Sequence, residues 1–369
     1  MKEKFKNLPI PAGIALSLVF TVLFVGLLMG TGFILSLIPR MTDQNEYLQQ
    51  GLAELFILIV FLIITYALGY HEIFRENKAG WLRSFYTGGF FVVYCLFSFI
   101  GQIFACIVSE HGNIRPFHEI IFYVIAIFLV GLVEELVFRG VVLNVLLNTF
   151  SKTRKGITGA IVLGGVLFGL MHFINMASGV KFSSAIIQVI SASLLGILFC
   201  TVYASTRNFW VVAIFHTVVD LGALLSTGLF DDGGIVSQIN TYSAMNAIAF
   251  IVLGIPMFVM LRKSRRIRME MLYNNVPVID DENEGRKLGI ISLVLGICSL
   301  AFSCIGYLGG LGIVGLLASR LSKKARPYDN SLATAGMVTS IVGIVLSVIS
   351  TMILIIFYAS GIASQFTAF

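Results

Sequence analysis

Two adjacent acidic residues, Glu134 and Glu135, stand in the middle of an apolar stretch that runs from about Phe117 to Leu147. Arg139 follows four residues after the second of them. An ionisable residue at the centre of a membrane helix costs roughly 2.5–3.5 kcal/mol on insertion scales, so three in one span indicate a functional site. The alternative interpretation is a buried charge cluster that only holds helices together.

Helical spacing separates the roles of the two glutamates. Neighbours on an α-helix lie about 100° apart, so the two carboxylates cannot face the same partner. Arg139 lies four residues after Glu135, in the favourable acid-before-base order, and is out of register with Glu134. The spacing therefore predicts that Glu135 is the paired carboxylate and that Glu134 is available for chemistry.

Two histidines follow in later apolar runs. His172 ends the sequence Phe168-Gly-Leu-Met-His172, and taken alone it is more typical of a core residue that is hydrogen-bonded between helices. His216 stands four residues before Asp220, which places both on one helical face. There they can share a metal, or the carboxylate can orient the imidazole; the alternative is an interhelical hydrogen-bonded pair.

The charges of these six residues predict a bound cation or extra protons, because three carboxylates face a single guanidinium in a low-dielectric environment. Two histidines and an acid match a metal-bound water with three protein ligands. The predicted ligands are His172, His216 and Asp220, with Zn²⁺ as the metal. Glu134 would deprotonate the bound water, which then hydrolyses a peptide bond.

A metal-free arrangement explains the same residues. In it Glu134 and His172 activate a water, while His216 and Asp220 stabilise the oxyanion. Asp220 would then have to carry a proton in order to donate a hydrogen bond.

The composition identifies the elements that must position these residues. The chain has 57% hydrophobic residues, 12% charged residues and a mean hydropathy of +0.94, which excludes a soluble globular domain. We predict an all-α polytopic membrane protein with about eight transmembrane helices in its core. The apolar runs that predict them lie near residues 10–38, 52–70, 84–108, 117–147, 157–177, 183–204, 209–230 and 242–261.

The basic residues between the runs predict the orientation. They alternate from loop to loop, which places the N-terminus and the loop at Lys152–Lys155 in the cytoplasm. The first run is too long for a signal peptide and is expected to stay as a helix. Because the positive-inside rule accounts for the net charge of +6, no nucleic-acid partner is predicted.

A change of composition divides the chain into three predicted parts. Residues 1–261 form the core, residues 262–286 a polar cytoplasmic linker, and residues 287–369 a Gly-rich membrane module of two or three helices. Glycines seven residues apart recur in the module, from Gly289 and again from Gly336. A hairpin turn between residues 303 and 310 would return the following basic loop to the cytoplasm; the alternative is one long tilted helix.

The order of the motifs resembles a known family. Glu-Glu-x-x-x-Arg, then Phe-x-x-x-His, then His-x-x-x-Asp in successive helices is similar to the CPBP intramembrane proteases. That family includes the CAAX prenyl endopeptidases and the bacterial abortive-infection and bacteriocin-immunity proteins. The resemblance covers roughly residues 50–230. The Gly-rich module resembles a small bacterial membrane domain for which the resemblance supplies no role.

The resemblance implies a role for each site residue. Glu134 would be the catalytic base, Glu135 and Arg139 would support it, and His172 and His216 would complete the site. Asp220 stands where the prenyl-protein proteases have Asn. This departure favours metal ligation by Asp220, or a proton on it, over the oxyanion role of the amide.

The predicted function is that of an intramembrane endopeptidase of a bacterial cytoplasmic membrane. Its substrates would be membrane-associated peptides or proteins reached within the lipid bilayer, and prenylation of the substrate is not predicted. The first alternative is a bacteriocin-immunity or scaffold protein that uses the same fold without proteolysis. The second is a transporter, because buried carboxylates and histidines also serve as proton relays.

Overall fold

The computed structural model describes residues 8–39, 41, 45–108, 112–150, 152–231, 233–242, 254, 257–258, 261, 263–274, 282–303, 308–326 and 331–359. Within these residues the regular secondary structure is helical, apart from one isolated bridge between Ile114 and Phe230. Two 3₁₀-helices (His71–Phe74 and His172–Ser178) and one π-helix (Leu136–Val142) interrupt the α-helices. The α-helices are α1 (Ile10–Ser36), α2 (Glu46–Ala67), α3 (Trp81–Thr87), α4 (Gly89–Val108), α5 (Phe117–Glu135), α6 (Leu143–Thr149), α7 (Arg154–Met171), α8 (Phe182–Thr206), α9 (Phe209–Ala223), α10 (Leu225–Leu229), α11 (Ile235–Asn240), α12 (Lys263–Tyr273), α13 (Glu282–Ala301), α14 (Gly309–Ala325) and α15 (Ser331–Ala359).

Several of these helices are long and apolar enough to cross a membrane. In the described part of the chain six meet that test, and a seventh is the bent pair α3 and α4, which turns by 64°. The six are Ile10–Ser36, Glu46–Ala67, Phe117–Thr149, Arg154–Ser178, Phe182–Thr206 and Ser331–Phe357. The chain is an all-α polytopic membrane protein, as predicted.

The predicted spans differ from the helices at three places, of which the first is the run at 84–108, broken by the bend between α3 and α4. The run at 209–230 is not one span, because α9 covers only Phe209–Ala223 and α10 follows it after a break. The eighth run, 242–261, lies almost entirely outside the described residues. The described helices therefore account for most of the predicted core spans.

The described residues fall into two compact units. The core unit lies within Met1–Ala79, Asn113–Asp220 and Thr227–Val278, and it contains all six predicted site residues. The second, Gly-rich unit lies within Gly80–Gly112, Leu221–Ser226 and Ile279–Phe369. The three-part division into core, linker and module stays a prediction.

The π-helix is the feature of the core unit that the apolar pattern did not predict. It continues α5 and leads into α6, so that one apolar span of 33 residues runs from Phe117 to Thr149. At its end the backbone N–H of Leu143 donates to the carbonyl of Phe138, five residues earlier. Every residue of the π-helix is buried. Single π-turns of this kind are frequent at functional sites.

Glycines let α7 and α8 pack closely in the core unit. A Cβ added to Gly196 would lie 2.8 Å from the carbonyl oxygen of Gly165, so the two backbones approach more closely than side chains would allow. The contact brings Phe168 of α7 and Phe199 of α8 against the guanidinium of Arg139. Packing of these two helices therefore helps to build the site.

Arg207 closes α8 in a left-handed conformation, with φ 52° and ψ 36°. That conformation costs a non-glycine residue about 1–2 kcal/mol. The guanidinium lies against the carboxylate of Glu76, with nitrogen to Oε2 distances of 2.7 and 2.9 Å. It also donates to the hydroxyl of Tyr273 at 3.1 Å and stacks over the ring of Tyr203 at 4.8 Å. These contacts offset the backbone strain.

The first half of the predicted linker is a packed helix. In α12 the side chain of Met269 is fully buried, and Glu270 pairs with Arg154 of α7 at 3.1 Å. Burial raises the pKa of Tyr273, so its hydroxyl stays protonated and neutral against Arg207. The polar composition of residues 262–286 predicted a linker, and the few apolar residues of α12 are too weak a signal to predict that this helix packs.

The predicted glycine repeat is an interface of glycines with serines in the Gly-rich unit. A Cβ on Gly336 of α15 would meet Ser292 of α13, and seven residues later Gly343 would meet Ser299. The equal spacing shows that α13 and α15 run parallel. Small residues on both faces let the helix backbones approach closely.

The helices on either side of the predicted hairpin turn are antiparallel in the same unit. Ser292 Oγ donates to the carbonyl of Gly315 at 2.8 Å, and Ser322 Oγ donates to the carbonyl of Gly285 at 2.7 Å. Higher residue numbers on α14 thus face lower numbers on α13, so the two helices are antiparallel. Residues 304–307 of the predicted turn lie outside the described residues, and the described residues of the module contain three helices.

The Gly-rich unit also includes the bent pair α3 and α4. Arg83 of α3 pairs with Glu284 of α13 at 2.8 Å, and a Cβ on Gly89 would lie 2.9 Å from the side chain of Val314. The C-terminal helices thus pack on a segment that precedes the site residues in sequence.

Substitution of Gly196 by alanine tests the close packing of α7 and α8. The added methyl group would meet the backbone of Gly165, so we expect Gly196→Ala to lower the free energy of unfolding by about 1–3 kcal/mol. Thermal unfolding of the detergent-solubilised protein measures this change. Gly30→Ala in α1 is the control, because its Cβ meets nothing within 4 Å and alanine favours a helix. An unchanged melting temperature for Gly196→Ala would contradict the close approach.

Candidate active site

The predicted site residues come from four elements of the core unit. Glu134 and Glu135 end α5, and Arg139 lies in the π-helix. His172 follows α7 as the first residue of a 3₁₀-helix. The remaining two, His216 and Asp220, lie on α9.

Glu135 lies between a cation and an imidazole. Its Oε1 is 2.8 Å from Nη1 of Arg139, which is the predicted ion pair, and 2.7 Å from Nδ1 of His216. The side chains of Glu135 and Arg139 are fully buried. A carboxylate on Nδ1 holds the hydrogen there and leaves Nε2 facing the remaining groups of the site. The sequence predicted the first of these contacts and missed the second.

The two remaining carboxylates lie around the opposite nitrogen of the same imidazole. Nε2 of His216 is 3.3 Å from Oδ2 of Asp220 and 3.6 Å from Oε2 of Glu134. The side chain of Asp220 is 27% exposed and that of Glu134 is 11% exposed, whereas Glu135 is closed off. Water or substrate can therefore approach from the side of Asp220 and Glu134.

A close approach of α5 and α9 brings His216 to the glutamates. A Cβ on Gly131 would lie 2.9 Å from the backbone nitrogen of Thr217 and 3.0 Å from its Cα. Gly131 is one helical turn before Glu135, and Thr217 directly follows His216. Any larger residue at position 131 would push α9 away from the carboxylate.

Two phenylalanines that the sequence analysis did not assign to the site enclose the charges. The Cζ atom of Arg139 lies 4.5 Å from the ring centroid of Phe168 and 5.1 Å from that of Phe199. The ring of His216 stacks on Phe199 at 5.1 Å and contacts the edge of Phe168 at 5.5 Å. A cation over an aromatic face gains about 2 kcal/mol when it is desolvated, so these rings stabilise the charges and exclude water.

His172 contacts Phe168, the same phenylalanine that His216 contacts. Its ring lies 5.2 Å from the ring of Phe168, which also contacts His216. Its Nδ1 lies 3.0 Å from the carbonyl oxygen of Phe168. Because a carbonyl only accepts, Nδ1 carries the hydrogen and Nε2 is an acceptor in the neutral ring. The structure thus brings Glu134, Glu135, Arg139, His216 and Asp220 into one cluster and His172 to its edge.

A metal centre has little support in the arrangement of the side chains. Among the described residues no group of three or more His, Cys, Asp and Glu is placed to hold a metal ion. The predicted ligands His172, His216 and Asp220 therefore do not fit a three-ligand centre as they stand. Ligation of zinc by them stays a prediction for elemental analysis.

One buried acidic residue near the six site residues was not predicted to belong with them. Glu54 of α2 is 1% exposed, and its Oε1 accepts a hydrogen bond from Gln50 at 2.7 Å. Its Oε2 is buried without a hydrogen-bond partner among the described residues. Glu54 lies within electrostatic range of Glu134, so it is a further acidic group beside the site. The signal was present in the sequence, because Glu54 stands at the start of the apolar run 52–70.

The cluster has the groups that a hydrolytic reaction needs. Glu134 supplies a carboxylate that Arg139 does not neutralise, and His216 presents Nε2 beside it in a fixed orientation. A carboxylate of this kind can accept a proton, and an N–H group can stabilise a developing negative charge.

The comparison with protein families matches this part of the chain. Residues 116–222 match the family described as type II CAAX prenyl endopeptidase Rce1-like. The match covers less than half of the chain and includes all six predicted site residues. No curated protein and no solved structure matches the chain. The match supports the resemblance that the motifs indicated: residues 116–222 are similar to the Rce1-like family of type II CAAX prenyl endopeptidases.

Proposed function

We propose that the protein is an intramembrane endopeptidase that hydrolyses peptide bonds of membrane-associated peptides or proteins. The observation that carries the proposal is the shared carboxylate of Glu135, which pairs with Arg139 and orients His216 while Glu134 remains beside the imidazole. The Rce1-like match of the same segment supports the class of reaction.

The reaction begins with a water held by Glu134. The carboxylate takes one proton from the water, and the oxygen attacks the carbonyl carbon of the scissile bond. Nε2 of His172, an acceptor in the neutral ring, would take a hydrogen bond from the same water. The negative charge then moves to the former carbonyl oxygen.

His216 and Asp220 would stabilise that oxyanion. In its doubly protonated form His216 donates from Nδ1 to Glu135, and the hydrogen on Nε2 points toward Glu134 and Asp220. A protonated Asp220 is the second donor. The tetrahedral intermediate collapses when the carbon–nitrogen bond breaks and Glu134 returns its proton to the leaving amine.

Substrate would come from the bilayer, because the site lies within apolar spans and the open edge of the cluster is at Asp220. The proposed location is a bacterial cytoplasmic membrane, and the positive-inside rule supports an N-terminus in the cytoplasm.

The first test of the proposed function concerns Glu134 and Glu135. We expect Glu134→Gln to abolish cleavage with the fold retained, because the amide cannot accept the proton. Glu135→Gln should lower activity and also stability, by about 3–5 kcal/mol, because it leaves the buried Arg139 charge without its partner. The first measurement identifies the substrate: it compares the protein N-termini in membranes of cells that express the wild type with those of cells that express Glu134→Gln. The second measures cleavage of that substrate by purified protein in liposomes.

Cleavage rates of a farnesylated and an unmodified peptide from the identified substrate show whether the enzyme requires a prenyl group. Full cleavage by Glu134→Gln would rule out the proposed base. Unchanged N-termini together with an unchanged cellular phenotype would favour an immunity or scaffold protein, and proton flux coupled to a solute would favour a transporter.

A second prediction separates the side-chain mechanism from a metal-assisted one. The side-chain mechanism expects cleavage to continue in strong chelator and purified protein to contain no stoichiometric zinc. Elemental analysis of detergent-purified protein checks both. If zinc and activity are lost together on chelation, and Asp220→Asn also lowers the zinc content, then ligation by His172, His216 and Asp220 would be supported instead.

The third prediction tests orientation. A cysteine at Lys152 should react with a membrane-impermeant maleimide only from the cytoplasmic side, and a cysteine at Asp231, whose side chain is 75% exposed, only from the opposite side. Labelling of intact cells and of inverted vesicles measures this. Reaction of the Lys152→Cys variant in intact cells would reverse the proposed topology.

A further inference from the structure

Asn144 bonds to the π-helix that carries Arg139. It lies at the start of α6 and is 6% exposed. Its Nδ2 donates to the carbonyl of Arg139 at 2.9 Å and to the carbonyl of Gly140 at 3.0 Å. Its Oδ1 accepts a hydrogen bond from Nη1 of Arg207 at 2.9 Å. The side chain thus connects the π-helix with the end of α8.

The π-turn explains why these carbonyls need a donor. In an α-helix the N–H of Leu143 would donate to the carbonyl of Arg139, four residues earlier. Here it donates to Phe138 instead. The carbonyl of Arg139 therefore loses its usual partner inside a membrane span, where no bulk water replaces it. The amide of Asn144 supplies the missing hydrogen bond.

Arg207 fixes which end of the amide faces the π-helix. A guanidinium only donates, so the atom 2.9 Å from it must be the amide oxygen. The NH₂ group is then directed to the carbonyls. Glu76 and Tyr273 hold Arg207 in turn, so the amide cannot turn over without breaking these contacts.

We propose that Asn144 is a positioning residue: its amide holds the π-turn that places the Arg139 guanidinium against Glu135, and through Glu135 it sets the orientation of His216. The inference rests on the proposed peptidase function for its kinetic consequence. Asn144 does not touch the reacting atoms, so its effect passes through the backbone of Arg139.

The test is Asn144→Asp. The carboxylate has the shape of the amide and keeps an oxygen for Arg207, but it replaces the NH₂ group by an oxygen that faces two carbonyls. Asn148→Asp is the matched control, because Asn148 lies one turn later on the same helix and donates to the hydroxyl of Tyr70 at 3.1 Å. We expect Asn144→Asp to lower kcat about 10–100-fold with little change in KM, and Asn148→Asp to leave both near wild type.

A spectroscopic measurement keeps the inference separate from the proposed function. In protein with ¹⁵N-labelled histidine, Nδ1 of His216 gives the signal of a nitrogen that donates to a carboxylate, and His216→Gln identifies that signal. Asn144→Asp should move it, and Asn148→Asp should not. If wild-type protein cleaves nothing, the proposed function fails while this comparison still decides the role of Asn144. Unchanged kcat and an unchanged His216 signal in folded Asn144→Asp would overturn the inference.

Arg207→Lys is the second variant, in case Asn144→Asp does not fold. Lysine keeps the positive charge near Glu76 but loses the planar fork that reaches Asn144 at the same time. The His216 signal should then move in the same direction by a smaller amount. A folded Arg207→Lys protein with an unchanged His216 signal would also contradict the inference.

Discussion

The carboxylate of Glu135 is the interaction on which the rest of the site depends. One oxygen atom serves the guanidinium of Arg139 and the imidazole of His216, and both the acid and the guanidinium are closed off from solvent. Buried charges are tolerated only when each has its partner, because desolvation costs several kcal/mol for each ion. The contact therefore holds α9 against the span Phe117–Thr149. It also leaves Glu134, which Arg139 does not neutralise, as the carboxylate that can accept a proton. The aromatic rings around Arg139 strengthen the pair by keeping water out.

Local spacing made part of this arrangement predictable. The ion pair of Glu135 and Arg139 followed from four residues of separation, and the antiparallel arrangement of α13 and α14 followed from the basic loop that has to return to the cytoplasm. The contact of Glu135 with His216 did not, because it joins residues 81 positions apart and depends on the close approach at Gly131. A periodic pattern of apolar residues shows which face of a helix is buried, but it does not show which other helix packs against that face.

The π-helix escaped prediction for a different reason. Apolar residues fill the whole stretch around it, so a change from α to π geometry leaves no mark in the hydrophobic pattern. Glu54 and the packing of α12 were missed because hydropathy is averaged over a window of residues. A single acidic residue in an apolar window, or a few apolar residues in a polar one, change that average very little. Asn144 could have been noticed as a polar residue in the same run that holds Arg139, but only the backbone shows which carbonyls it serves.

The π-helix also affects which changes of chain length the protein tolerates. A π-turn holds one residue more than an α-turn, so it absorbs an extra residue without turning the face of the helix that follows. Removing a single residue between Leu136 and Val142 would let the span continue as an ordinary α-helix, and the face that carries Asn144 would still point toward Arg207. A deletion in an α-helical part of the same span would instead turn that face by about 100°. The π-turn is therefore the place where this span tolerates the loss of one residue.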